Sequence, residues 1–98
     1  MYFNIIKTYR DVIAICDAEL LGKVFEQGDF QLDVKESFFK GEKVSEEKAI
    51  KIMQDMTEED ATFNIIGKKS VNAALKSGII SEDVIKKIQG IPFALKLL

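Results

Sequence analysis

Apolar and polar positions alternate from the first residues onward. Within residues 2–9, Phe3, Ile5 and Tyr9 share one register and Tyr2 and Ile6 the other. Arg10-Asp11 interrupts the pattern, and residues 12–16 form a second apolar, β-branched run, so the chain is expected to open with a β-hairpin. Asp17 is placed as a helix N-cap, with Glu19 favouring the positive end of the helix dipole. Two readings of the next segment stay open. Leu20, Leu21, Val24 and Phe25 have helical spacing with Gly28 as terminator. Alternatively Gly22 ends a single turn, and 23–27 pairs with 30–34 across Gly28-Asp29, a link suited to a II′ turn. The second is preferred. Phe30, Leu32 and Val34 alternate with Gln31 and Asp33, which makes 30–34 a strand in either case.

Residues 35–43 read as a turn or short helix carrying Phe38-Phe39 and closed by Gly41. Ser45 opens the clearest helix, with Glu46 and Glu47 in its first turn and a stripe of Ala49, Ile50, Met53 and Met56. Residues 57–60 are too acidic and unpatterned for core and are expected to be a loop. Residues 61–66 form a strand that stops at Gly67, and a helix over 68–77 follows almost without a loop. Ser81 is a candidate cap for a short helix through Val84, Ile85 and Ile88, with a strand the open alternative. Ile91, Phe93, Leu95 and Leu97 then alternate. Pro92 offers no amide donor, so this last strand should lie at a sheet edge or use Pro92 near its start. The predicted class is α+β, a single domain over residues 1–98 in which two or three helices pack on a mostly antiparallel sheet.

Composition narrows the possible chemistry. Ninety-eight residues, 47% hydrophobic and 31% charged, suit one globular domain. There is no histidine and one cysteine, Cys16, which removes nearly all transition-metal sites and every imidazole-dependent mechanism. No metal and no cofactor is expected, and an enzyme is disfavoured. The lone cysteine in an apolar run suits a reducing compartment and should be buried and unreactive. No apolar run reaches the length of a membrane span, and the N-terminus lacks the pattern of a cleaved signal. A cytoplasmic protein without membrane contact is therefore expected.

The net charge of −2 hides an asymmetry: residues 1–60 hold 8 basic and 14 acidic side chains, and residues 61–98 hold 6 basic and 2 acidic. The positive part could steer a polyanion to one face, or simply attract the acidic part. Within it, Gly67-Lys68-Lys69-Ser70 resembles the end of a phosphate-binding loop. That motif needs a glycine five residues before Gly67, where this chain has Thr62, so a nucleotide-hydrolysing loop is rejected. A weaker anion site survives. A glycine at a helix start leaves amide donors free, and the helix dipole and two lysines add positive charge. The candidate site is Asn64, Gly67, Lys68, Lys69 and Ser70, extended by Lys86 and Lys87. Gly22-Lys23 is a second corner of the same kind. Stacking on nucleic-acid bases would need exposed aromatics, and Phe63 and Phe93, the nearest, have core-like alternation. The acidic pairs Glu46/Glu47 and Glu58/Glu59 are assigned to cap and surface.

Several short segments also resemble one family: Cys16-Asp17-Ala18-Glu19-Leu20-Leu21-Gly22-Lys23, Phe25 to Gly28, Phe38-Phe39-Lys40-Gly41-Glu42, Val44-Ser45-Glu46-Glu47, Asn64-Ile65-Ile66-Gly67-Lys68, Val71 and Gly90-Ile91-Pro92. They follow the order seen in the archaeal family called domain of unknown function 424. The resemblance covers almost the whole chain and implies an archaeal, cytoplasmic single domain without an established activity. The family pattern often places a histidine after the final proline. Here that position is Phe93, which counts against a shared acid–base role. The expected function is a non-catalytic binding module that contacts RNA or a ribonucleoprotein, with translation as the setting. The alternative is a protein–protein adaptor or homodimer using an open sheet edge or the Phe38-Phe39 surface.

Overall fold

The computed structural model describes residues 1–56 and 60–97. Its strands are β1 (Tyr2–Ile6), β2 (Asp11–Cys16), β3 (Val24–Gln27), β4 (Phe30–Asp33), β5 (Glu42–Lys43), β6 (Ala61–Ile66), β7 (Lys86–Ile88) and β8 (Ile91–Leu97). Its helices are α1 (Glu36–Phe39), α2 (Glu46–Asp55) and α3 (Lys68–Ser77). Six strands form one sheet in the order β5-β1-β2-β6-β8-β7, while β3 and β4 make a separate hairpin. Every neighbouring pair in the large sheet is antiparallel except β2 with β6. The fold is α+β, as the alternation predicts.

The pleat sorts the side chains into two cores. Ile13, Ile15, Phe63, Ile65 and Ala94 point to one face, where Ala49 and Met53 of α2 and Val71, Ala73 and Ala74 of α3 close over them. Ala14, Cys16 and Ile66 point to the other, under Leu20, Val34 and Phe39, with Phe25 and Leu32 of the hairpin alongside. β2 and β6 sit at the centre of the sheet and are buried on both sides. This explains why they read as continuous apolar runs.

The preferred hairpin reading of residues 23–34 holds: Gln27 pairs with Phe30 across Gly28-Asp29, and Gly28 has φ 61. The helical spacing of Leu20 to Phe25 yields only one 3₁₀ turn, Ala18–Leu20, because the backbone is already extended at Leu21 (ψ 129) and turns away at Gly22 (φ 83). Ser45 caps α2, its Oγ accepting from the Lys48 amide at 3.2 Å. The helix considered from Ser81 shrinks to a 3₁₀ turn, Glu82–Val84, before the chain extends into β7. Ser81 makes no cap to the backbone and turns its hydroxyl to Asp83 instead. Pro92 is the second residue of β8, where its missing amide does least harm. Of the acidic loop expected over 57–60, only Asp60 lies within the described residues; it is exposed and pairs with Arg10.

Phe63 is fully buried between the sheet and the two long helices. Phe63→Ala should lower the unfolding free energy by about 3–5 kcal/mol in urea titrations. Phe30→Ala, at a side chain 77% exposed, should change it by less than about 0.5 kcal/mol.

Candidate functional site

The corner at Gly67 is where sequence reasoning locates an anion site, and the structure puts an anion there. It is the chain's own. The carboxylate of Asp17, only 3% exposed, reaches across from the end of β2 to the first turn of α3. Its Oδ2 accepts from the Lys69 amide at 3.1 Å, and its Oδ1 accepts from the Ser70 amide at 2.8 Å and the Ser70 hydroxyl at 2.8 Å. The parallel pairing of β2 and β6 makes this possible: Cys16 lies beside Ile66, and the Asp17 amide donates to the Ile66 carbonyl at 3.0 Å. Both strands therefore end side by side where the helix begins.

Asp17 was expected to cap the turn that follows it, yet its side chain makes no bond there. A single 3₁₀ turn exposes few amides and carries little dipole. Helix α3 offers a full set of donors and about half a positive charge at its start. The carboxylate goes to the stronger site.

Gly67 is shaped by the same contact. Its φ of 113 is a conformation that L side chains rarely adopt, and a Cβ there would stand 2.3 Å from the Asp17 Cγ. The glycine makes a close approach to a carboxylate, and that carboxylate is internal. An incoming phosphate would have to displace Asp17 to reach the amides of Lys69 and Ser70. Ser70 is wholly buried, while Asn64 is half-buried on the opposite face of the sheet from the helices.

The lysines are disposed differently. Lys68, Lys69, Lys86 and Lys87 are exposed, and none forms an ion pair among the described residues, whereas Lys76 is held by Glu46 of α2 at 2.8 Å. The Gly67 amide donates to the Pro92 carbonyl at 2.8 Å, and Pro92 lies opposite Lys87. The start of α3 and the basic strand β7 thus stand at the same end of the sheet, two strands apart, with roughly 10 Å between their backbones. Adjacent strand residues face opposite ways: Lys86 shares a face with Phe93, and Lys87 lies on the helix side. The second corner contributes nothing of this kind. The Gly22 amide bonds the Val34 carbonyl, and the amide and carbonyl of Lys23 are both used in backbone pairing.

Phe93 departs from its expected burial. It is half-exposed, because the hairpin covers the sheet beside it incompletely. Together with Phe30, Gln27, Lys86, Lys87 and Ile88 it lines a groove of about 180 Å³ between the hairpin tip and β7. Sequence reasoning missed Phe30 as a surface residue. Its alternation with Leu32 and Val34 points inward, but its place next to Gly28-Asp29 carries it past the edge of the core. Phe63 and Phe39 are buried; Phe38 is half-buried and meets Phe39 edge-on at 5.1 Å, and both join the core on the hairpin side of the sheet. Cys16 is buried, and removal from water, aided by the neighbouring Asp17 charge, raises its thiol from 9.0 to about 11.

With this geometry in hand, comparison with known proteins places the chain. A family described as a protein of unknown function, DUF424, matches residues 6–97. The chain belongs to this family. A crystal structure of an uncharacterized conserved protein from Methanopyrus kandleri is similar, with a TM-score of 0.83 and 26% identity over 97% of this chain and 88% of that one. No curated protein matches. DUF424 membership and an archaeal neighbour agree with the resemblance carried by the short segments. No helix among the described residues of this DUF424 chain is long and apolar enough to cross a membrane, and no cluster of possible metal ligands occurs among them.

Removing the internal anion should be costly. Asp17→Ala leaves two amides and a buried hydroxyl without an acceptor and should lower stability by about 3 kcal/mol or more. Inorganic phosphate should raise the melting temperature of that variant and leave the wild type unchanged. Native Cys16 should resist alkylation at neutral pH and react once the chain is unfolded. Because its folded value is the higher one, its contribution to stability is fully present below pH 9.0 and is lost as pH rises through about 11. Urea midpoints of wild type and Cys16→Ala across that window measure the difference.

Proposed function

We propose that this chain is a non-catalytic module that binds single-stranded RNA, free or within a ribonucleoprotein, across the β7 end of its sheet. The observation that carries the reading is the shared groove: two accessible aromatic rings, Phe30 and Phe93, border the same concavity as Lys86 and Lys87, which have no ion pair among the described residues. Aromatic faces that stack on bases beside point charges that meet phosphates are what sequence-tolerant single-strand binding requires. Lys68 and Lys69 lie at the same end of the sheet and extend the positive track. The amides behind them are already engaged by Asp17, so their part is electrostatic alone.

Fluorescence anisotropy with a labelled oligouridine should show affinity falling with potassium chloride. The log–log slope should be about −3 if all four lysines meet phosphates. The double variant Lys86→Ala/Lys87→Ala should reduce that slope by about 1.4. Phe30→Ala should weaken binding by about 1–3 kcal/mol without changing the slope. Salt-independent affinity, or none, would remove the reading.

A further inference from the structure

The outer side of β8 is only partly covered. On its inner side β8 pairs with β6 from Phe93 to Leu97. On its outer side β7 pairs with Ile91, Pro92 and Phe93 and stops at Lys86. Beyond that point the chain arrives from the 3₁₀ turn Glu82–Val84, and no strand continues along β8 among the described residues. In the gap is a concavity of about 420 Å³ bordered by Val84, Lys86, Phe93, Ala94 and Leu95. It lies where a strand collinear with β7 would run.

The direction of the backbone groups follows from Pro92. Its carbonyl accepts from Gly67 on the inner side, so the even residues of β8 direct their amides and carbonyls inward and the odd residues direct theirs outward. Leu95 and Leu97 therefore present two donors and two acceptors to the open edge. Their side chains, 58% and 64% exposed, stand on the face away from the helices. There they continue rows formed by Asn4, Ala14 and Asn64, and by Ile6, Val12 and Thr62. An unpaired edge beside exposed leucines is a template for an added strand.

Lys96 selects the occupant. In an antiparallel addition Leu95 and Leu97 take the hydrogen-bonded positions, and the residue facing Lys96 takes the non-bonded one, where side chains approach most closely. A second copy adding through the same edge, with each Leu95 facing the other chain's Leu97, would set Lys96 against Lys96, and like charges directly opposite destabilise a pair. An acidic residue in that place would be attracted, and apolar residues on either side of it would cover Leu95 and Leu97. Lys96 has no ion pair within the chain among the described residues, so its charge is free for this.

We propose that the outer edge of β8 over residues 94–97 is a docking site for an extended segment of a partner protein with an apolar–acidic–apolar core, added as an antiparallel strand. The site adjoins the groove of the RNA-binding reading, sharing Lys86 and Phe93 with it, but the proposal does not depend on that reading.

The test uses blocked peptides carrying Val-Glu-Val or Val-Lys-Val at the centre, with isotope-labelled full-length chain. In the free protein the amides of Leu95 and Leu97 should exchange rapidly with solvent while those of Ala94 and Lys96 are protected. The Glu peptide should slow exchange at Leu95 and Leu97, and the Lys peptide should bind about five- to tenfold more weakly. Lys96→Glu should reverse that preference. Protection of Leu95 and Leu97 in the free monomer would overturn the proposal. Equal binding of the two peptides would do the same, as would protection that grows with protein concentration alongside a doubled mass.

Discussion

The ion–dipole contact between Asp17 and the start of α3 is the constraint on which the rest of the structure hangs. One carboxylate neutralises the positive end of a helix, satisfies two amides and a hydroxyl, and fixes the spacing between the ends of β2 and β6. Its charge is compensated by oriented backbone dipoles, with no cation in the arrangement. Gly67 is required for the carboxylate to come this close. The parallel pairing of β2 with β6 is required for Asp17 to arrive at the right height. The contact therefore joins residues 52 and 53 positions apart and secures the one parallel pair in an otherwise antiparallel sheet.

Once that contact is in place, the division of labour between the two faces follows. The helix face is sealed by α2 and α3, with Lys76 and Glu46 joining them at the surface. The opposite face is covered at one end by the β3–β4 hairpin, α1 and the 3₁₀ turn, and its other end carries Ile6, Val12, Leu95 and Leu97 with partial or full exposure. The accessible aromatics, the unpaired lysines and the unpaired backbone edge all occur at or near the β7–β8 side, where the sheet outruns its cover. Both proposed binding surfaces lie on this incompletely covered part of the sheet, at a distance from the buried carboxylate.

Much of this was legible in the chain. Period-two alternation located β1, β4 and β8, continuous β-branched apolar runs located β2 and β6, and Ser45 with the Ala49–Ile50–Met53 spacing located α2, because these signals are local. Gly67 stands out in the sequence as a glycine at a helix start, and the structure places the Asp17 carboxylate there. The identity of the anion was not legible, because Asp17 reaches it only through a pairing some fifty residues distant. The same limit applies to Asp17 itself, which looks like a local cap until a longer helix competes for it. Phe30 and Phe93 obey the alternation of core residues, and only the finite width of the hairpin decides that they remain accessible. Ser81 to Ile88 carried a helical spacing too short to outweigh extension along β8.

The turn between β7 and β8 has a different importance. Gln89 has φ 50, the only non-glycine in the left-handed region among the described residues. That conformation is sparsely populated and persists where surrounding contacts enforce it. The enforcing contacts are both to the hairpin: the Gln89 amide donates to the Gln27 side chain at 2.8 Å, and the Gln89 side chain donates to the Glu26 carbonyl. A bent, strained residue thus acts as the clasp between the hairpin and the sheet, and the two solvent-exposed bonds it makes are easily exchanged for water. Loss of that clasp would leave the hairpin held to the sheet mainly by the packing of Phe25 and Leu32, so local opening there costs less than opening of the doubly buried strands.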